Sequence, residues 1–355
     1  MHVAVIGGGI NGLCCAWTLA QRGHRVSLFE RGGLMQATSS ASSKLLHGGL
    51  RYLETGQISL VREALNERNN WLARTPLLAH PLPMLFPVYH GNRRPRWLIG
   101  LGLRIYDLLA GQSTLPKSCW LNAHEVKQKA PSLKSEGLIG AYLYYDAQMD
   151  DRELGLWVAR QCLDAGVTLE ENRPVAQVSP EGEVRFADDR TARFDRVINA
   201  AGPWAGQLLN CSKLPSRHVM DPVRGSHLIV DRHTDHALIL EAPADRRLFF
   251  VLPWKQKTLI GTTEVRQSLD QPIECSQAET AYLKQSFDHY LTQPLQDDEI
   301  LSTFAGVRPL IRSGSNTSRA SREYAIQTDG KLISVFGGKW TTAMALAQRV
   351  IYQIH

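Results

Sequence analysis

What this chain lacks narrows the field first. No stretch holds eighteen apolar residues, so no helix is expected to span a bilayer. The six cysteines (Cys14, Cys15, Cys119, Cys162, Cys211 and Cys275) form no CxxC pair and no cluster with histidine. That argues against a metal site and for reduced thiols in a cytosolic setting. The chain opens on apolar Val3-Ala4-Val5-Ile6 without a charged leader or cleavage site, so a protein kept on the cytoplasmic side is expected. Repeats, low-complexity tracts and flexible linkers are absent. The basic residues are scattered and accompany no nucleic-acid-binding motif, so nucleic acid is not an expected partner.

The length of 355 residues suits two domains or one interleaved unit. A net charge of +6 is compatible with a phosphorylated substrate, an anionic membrane surface or an ordinary basic exterior, and selects none of them. Periodicity predicts a strand over 2–6, a glycine turn, a helix over 10–22 and a strand over 25–30, a βαβ start. Further helices are predicted over 57–74, 151–165 and 276–292, and from about 341 onward. The region 76–120 reads as Pro-rich, basic and aromatic. Short strands are predicted near 167–169, 174–178, 184–186 and 196–199. An antiparallel block follows over 217–265, and a last strand over 332–336. The expected fold is α/β, a Rossmann-like nucleotide domain (1–75, 150–215 and 301–355) interleaved with a largely antiparallel substrate domain (76–149 and 216–300).

Gly7-Gly8-Gly9-Ile10-Asn11-Gly12 is a G-x-G-x-x-G between strand and helix. Gly7 permits the tight turn, Gly9 lets a pyrophosphate reach the backbone, and Gly12 lets helix and strand pack closely. The helix start offers N–H groups and partial positive charge to phosphates. Seventeen residues separate Gly12 from Glu30, an acid at the end of the second strand suited to the ribose hydroxyls of an adenosine. A dinucleotide is therefore expected, FAD or NAD being open on this motif alone. The run Ser39-Ser40-Ala41-Ser42-Ser43-Lys44 is either a polar surface loop or further donors for the pyrophosphate.

Several blocks then resemble, in order and over essentially the whole chain, the FAD-dependent (aerobic type) glycerol-3-phosphate dehydrogenases. They are residues 5–12, Thr38 to Glu54, Tyr145-Asp146 with Asp150-Asp151-Arg152, Asn199 to Trp204, Gly225-Ser226-His227, Ile260-Gly261-Thr262-Thr263, Gly306 to Leu310, Arg322, and Phe336 to Thr342. The resemblance implies a D-amino-acid-oxidase-like flavoprotein with FAD as cofactor and its ring between the two sheets. It implies cofactor contacts at Gly7, Gly9, Ile10, Asn11, Gly12, Glu30, Thr38, Ser39, Ser42, Ser43, Lys44, His47, Gly48 and Gly49. Val175, Ala201, Gly202, Gly338, Lys339, Trp340, Thr341 and Thr342 complete that set. For Thr341 and Thr342, plain helix capping is an equal reading.

The same resemblance implies oxidation of sn-glycerol 3-phosphate, with electrons passed to quinone or another acceptor. Arg51, Tyr52, Arg308 and Arg322 would form the substrate pocket, since arginine forks suit phosphate. His227 would serve as base, with Arg308 and Lys339 beside it in the chemistry. Arg308 stands between Val307 and Pro309-Leu310, where an idle charge would be costly. Two departures stand out: Glu264 occupies the place of the usual Asp after Gly-Thr-Thr, and the further helical domain of most relatives is not seen after His355. Residues 93–106, basic and then aromatic and apolar, read either as an interfacial membrane contact or as core packing. The competing functions are an FAD oxidase or dehydrogenase of another phosphorylated alcohol, hydroxy acid or amino acid, and a non-catalytic flavin-binding subunit.

Overall fold

Alternation along the first strand decides the layering. In the computed structural model, which describes residues 1–312 and 324–354, the strand His2–Ile6 is central in a six-stranded sheet. Val3 and Val5 face one apolar cluster, and Ala4 and Ile6 face another. The sheet order is Ala325–Asp329, Leu332–Phe336, Arg196–Asn199, His2–Ile6, Arg25–Phe29, Thr168–Glu170. All neighbours are parallel except the first two. Parallel strands buried on both faces need apolar cover on each side. Helices Ile10–Gln21, Asp151–Asp164 and Ala343–Tyr352 cover one face. The other is covered by helix Ala205–Cys211 and a small sheet of Val175–Val178, Glu183–Phe186 and Thr191–Arg193. Ile6 is level with Phe29 and with Asn199, so three strands deliver their carboxyl ends to one crevice.

A second, ten-stranded sheet is mostly antiparallel. Its long pairing is Ala79–Tyr89 with Leu138–Met149, and its faces alternate in the same way. Leu85, Val251 and Ile260 pack under helix Gln277–Tyr290, while Met84, Phe86, Leu252 and Leu259 pack under helices Ile58–Arg74 and Arg96–Leu109.

One expectation is corrected. The strand Ile300–Ile311 pairs along its length with Met220–Val230, so 300–311 belongs to the substrate sheet and not to the nucleotide domain. Its hydrogen-bond partner, and not its nearness to the last nucleotide strands, places it. The Pro-rich region 76–120 contains a long strand. Pro81, Pro83 and Pro87 share one parity, so their missing N–H groups fall on the same edge and leave the other edge able to pair.

Candidate active site

The crevice is built mainly of backbone at its nucleotide end. Gly7 has φ 110°, and a Cβ there would lie 2.5 Å from the Ala200 carbonyl oxygen. At Gly12 it would lie 1.9 Å from the Gly7 oxygen, a contact only glycine permits. Gly9 precedes the helix Ile10–Gln21, whose start carries no side-chain cap from Gly9. The Ile10 N–H donates to Ser39 Oγ at 3.0 Å. Glu30 accepts from Gly8 N at 2.6 Å and Gly32 N at 3.0 Å while lining the crevice. This half, a cavity of about 590 Å3, is also lined by Asn11, Thr38, Val175, Ala201 and Gly202. Asn11 Oδ1 is buried with no hydrogen-bond partner among the described residues. A helix start without a cap from its own N-cap residue, an acid at the end of the second strand and that orphaned oxygen are groups a dinucleotide would satisfy.

Ile10, Asn11, Thr38 and Ser39 are shared with a second cavity of about 500 Å3 that runs toward the large sheet. Its far end gathers His227, Arg308, Arg51, Tyr52 and Lys339. Two glycines make the room: a Cβ at Gly225 would lie 2.5 Å from the Arg308 guanidinium, and one at Gly261 would lie 2.2 Å from the His227 ring. Arg308 donates to Thr262 Oγ1 at 2.8 Å and to the Thr263 carbonyl at 3.2 Å. Lys339 Nζ lies 3.6 Å from the centre of the Tyr52 ring. Arg51 is 3.7 Å from Glu264, whose carboxylate also pairs with Arg247.

His227 is 2% exposed. Its ring stacks on Phe304 at 4.8 Å, and Nε2 is 2.9 Å from Ser43 Oγ. Nδ1 has no hydrogen-bond partner among the described residues. Burial, then the Arg308 and Lys44 cations, hold the imidazole well below the ordinary histidine range, so it is neutral at physiological pH.

The structure does not bring every expected residue to the crevice. Lys44 is buried, its Nζ 2.7 Å from Asp151 and 2.8 Å from the Ser40 carbonyl, and it lines neither cavity. The Ser42 hydroxyl is likewise donated to Asp151 at 2.7 Å. Asp151 is fully buried, and a buried carboxylate claims whatever donors lie near it. Lys44 therefore ties the loop to helix Asp151–Asp164 away from both cavities, whereas Ser42 makes the same tie while lining the second cavity. The Gly48 N–H donates to Tyr106 Oη at 2.7 Å, and Gly48 does not line either cavity, whereas His47 and Gly49 do. Thr341 and Trp340 line the substrate half, with Trp340 Nε1 donating to Ser39 O at 3.0 Å. Thr341 Oγ1 accepts from the His47 amide at 3.3 Å. Thr342 occupies the helix-cap position, but its side chain makes no capping bond. Gly338, with φ 94°, abuts the Asn11 side chain. Arg322 lies outside the described residues.

Arg247 was not legible as a site residue. It sits in the acidic and basic turn Asp245-Arg246-Arg247, and only the fold carries it to the cavity beside Glu264. No group of His, Cys, Asp and Glu suited to a metal ion exists among the described residues.

A two-sheet fold with a glycine-rich crevice leading to a neutral histidine and several cations defines a dinucleotide-dependent oxidoreductase. The model of the FAD dependent oxidoreductase family matches residues 2–353, and the chain belongs to that family, with FAD as its cofactor. The chain is 38% identical to a glycerol-3-phosphate dehydrogenase of Pseudomonas aeruginosa, over 99% of this chain and 71% of that one. It is 35% identical to a D-erythritol 1-phosphate dehydrogenase of Brucella abortus, over 99% of this chain and 72% of that one. A solved FAD complex of the glycerol-3-phosphate dehydrogenase from Bacillus halodurans superposes with a TM-score of 0.77 at 25% identity, covering 100% of this chain and 64% of that one. The resemblance and fold class expected from the motif blocks are borne out. The chain spans between 62% and 72% of the length of the first curated relatives it matches.

Proposed function

We propose that the chain oxidises sn-glycerol 3-phosphate to dihydroxyacetone phosphate. The observation that carries this reading is one cavity in which a neutral, buried histidine stands beside Arg308, with Arg51 and Lys339 on the same walls. Arg308 donates to two oxygens of the described residues and lines the cavity, where its guanidinium would hold the phosphate. Binding energy at this remote group would then orient the carbinol carbon. His227, its ring fixed by Phe304 and Ser43, takes the hydroxyl proton as the carbon–hydrogen bond breaks. FAD, when bound, supplies the hydride acceptor at N5. Glu30 and the Gly7–Gly12 turn would hold its adenosine end, with Thr38, Ser39 and Asn11, which line both cavities, as further contacts.

The test is anaerobic bleaching of the flavin by sn-glycerol 3-phosphate against glycerol. The phosphate ester should reduce it faster by about 100-fold or more, and Arg308→Ala should erase most of that difference with the flavin spectrum intact. Equal rates for the two would overturn the phosphate pocket. Faster bleaching by erythritol 1-phosphate would keep the chemistry and change the substrate.

The electron acceptor in this reading is a quinone reached at a membrane surface. Helix Arg96–Leu109 exposes Trp97 (68%), Leu101 (51%) and Leu108 (80%), with Arg93, Arg96 and Arg104 exposed around them. Leu98, Ile99 and Ile105 of the same segment line the substrate cavity. An apolar stripe rimmed by arginines suits an anionic bilayer interface. None of the described helices is long and apolar enough to cross a membrane.

A further inference from the structure

Outside the cavity, one carboxylate collects more donors than helix capping needs. Glu279, in the first turn of helix Gln277–Tyr290, is 4% exposed. Its Oε2 accepts from Ser276 N at 3.0 Å, from Ser276 Oγ at 2.7 Å and from Arg224 at 2.7 Å. The Ser276 amide bond and its reciprocal, the Glu279 amide donating to Ser276 Oγ at 3.3 Å, form the capping box and would be complete without anything further. Its Oε1 reaches across to the large sheet, accepting from Thr263 Oγ1 at 2.6 Å and Ser226 Oγ at 2.8 Å. Thr263 Oγ1 in turn accepts from the Ser226 amide at 2.9 Å.

Those two residues flank the chemistry. Ser226 precedes His227 on its strand, and the Thr263 carbonyl accepts from the Arg308 guanidinium. We propose that Glu279 is a positioning residue that sets the anion cleft. It locks the Thr263 turn to the Ser226 strand, and that fixes the direction in which Arg308 presents its fork. The inference rests on the reading of Arg308 as an anion ligand. An ionised carboxylate is required, because every neighbour around it donates and an amide would turn N–H against N–H or O–H. The hydrogen bonds from Thr263, Ser276 and Ser226 outweigh the effect of burial and bring its pKa down to about 2.

The experiment titrates inorganic phosphate into the FAD-loaded chain, follows the flavin absorbance perturbation, and records thermal unfolding alongside. Glu279→Gln and Thr263→Val should each raise the phosphate Kd about tenfold. Thr263→Ser, which keeps the hydroxyl, should stay within about twofold of wild type. Ser276→Ala removes the cap from the same helix end, and should lower Tm while leaving the phosphate Kd within about twofold. With sn-glycerol 3-phosphate, Glu279→Gln should raise KM in the same ratio and change kcat by less than about threefold. An unchanged phosphate Kd in Glu279→Gln, or equal weakening in Ser276→Ala, would show that Glu279 only caps its helix. A wild type whose flavin does not respond to phosphate would remove the anion-cleft reading itself, and the proposal with it.

Discussion

The two ends of the crevice are made by opposite means. At the nucleotide end the contacts are backbone and the design is an absence of side chains: Gly7, Gly9 and Gly12 within six residues, joined by Gly338 from the far end of the chain. At the substrate end the contacts are polar and charged side chains, held by partners distant in sequence. Arg308 is held by Thr262 and Thr263, and His227 by Ser43, 184 residues away. A backbone site can be lost through one added carbon. A charged site is lost by removing one partner, and the loss is graded, because the remaining groups still form a polar cavity.

That contrast can be broken at its stronger end first. Gly12→Val puts a Cβ 1.9 Å from the Gly7 oxygen, so helix and strand must separate. We expect a loss of about 3 kcal/mol or more in stability and no retained FAD, read from absorbance at the flavin band after desalting. A variant that keeps stoichiometric FAD would show that the turn has slack.

Next in size is His227→Asn, which should lower kcat by about 100- to 10,000-fold with FAD still bound. The pH dependence sharpens the point. Because burial, Arg308 and Lys44 depress the imidazole below the ordinary histidine value of 6.5, the acid limb of kcat/KM should fall below pH 6.5. The sign for stability follows from the same shift. Below pH 6.5 the unfolded chain takes up a proton that the folded histidine refuses, so this contribution is present above 6.5 and declines as pH falls. His227→Asn should flatten the acid decline in Tm; an unaltered decline would assign it to other groups.

The smallest effect concerns the exposed stripe. Replacing Trp97 and Leu108 by Ser leaves both cavities untouched, since neither residue lines them. Each exposed side chain stabilises an interfacial contact by about 1.5–3 kcal/mol if fully inserted. Sedimentation with anionic vesicles should fall for the double variant while flavin reduction is unchanged. Equal pelleting of both proteins would send the acceptor question elsewhere.

How far the residues themselves disclosed this depends on how local each feature is. The turn Gly7 to Gly12 and Glu30 stood out because strand, turn, helix and strand form one supersecondary unit with fixed spacing. The helix predicted over 57–74 is observed as Ile58–Arg74, and that over 276–292 as Gln277–Tyr290, since an apolar stripe at helical spacing is itself local. The tie of Lys44 to Asp151 was not legible, for the opposite reason. Asp151 is 107 positions away, and a lysine beside serines looks the same whether it faces a phosphate or a buried acid. Arg247 and Glu279 were silent in the same way, their meaning lying in Glu264, Ser226 and Thr263 across the sheet. The strand Ile300–Ile311 was assigned to the wrong sheet because its edge is chosen by hydrogen bonding to Met220–Val230. Backbone geometry and periodicity are written within a few turns of chain, so the sequence alone determined the nucleotide turn and most elements. Charges compete for partners through space, so only the tertiary structure decided which of them face the cavity and which hold the walls together.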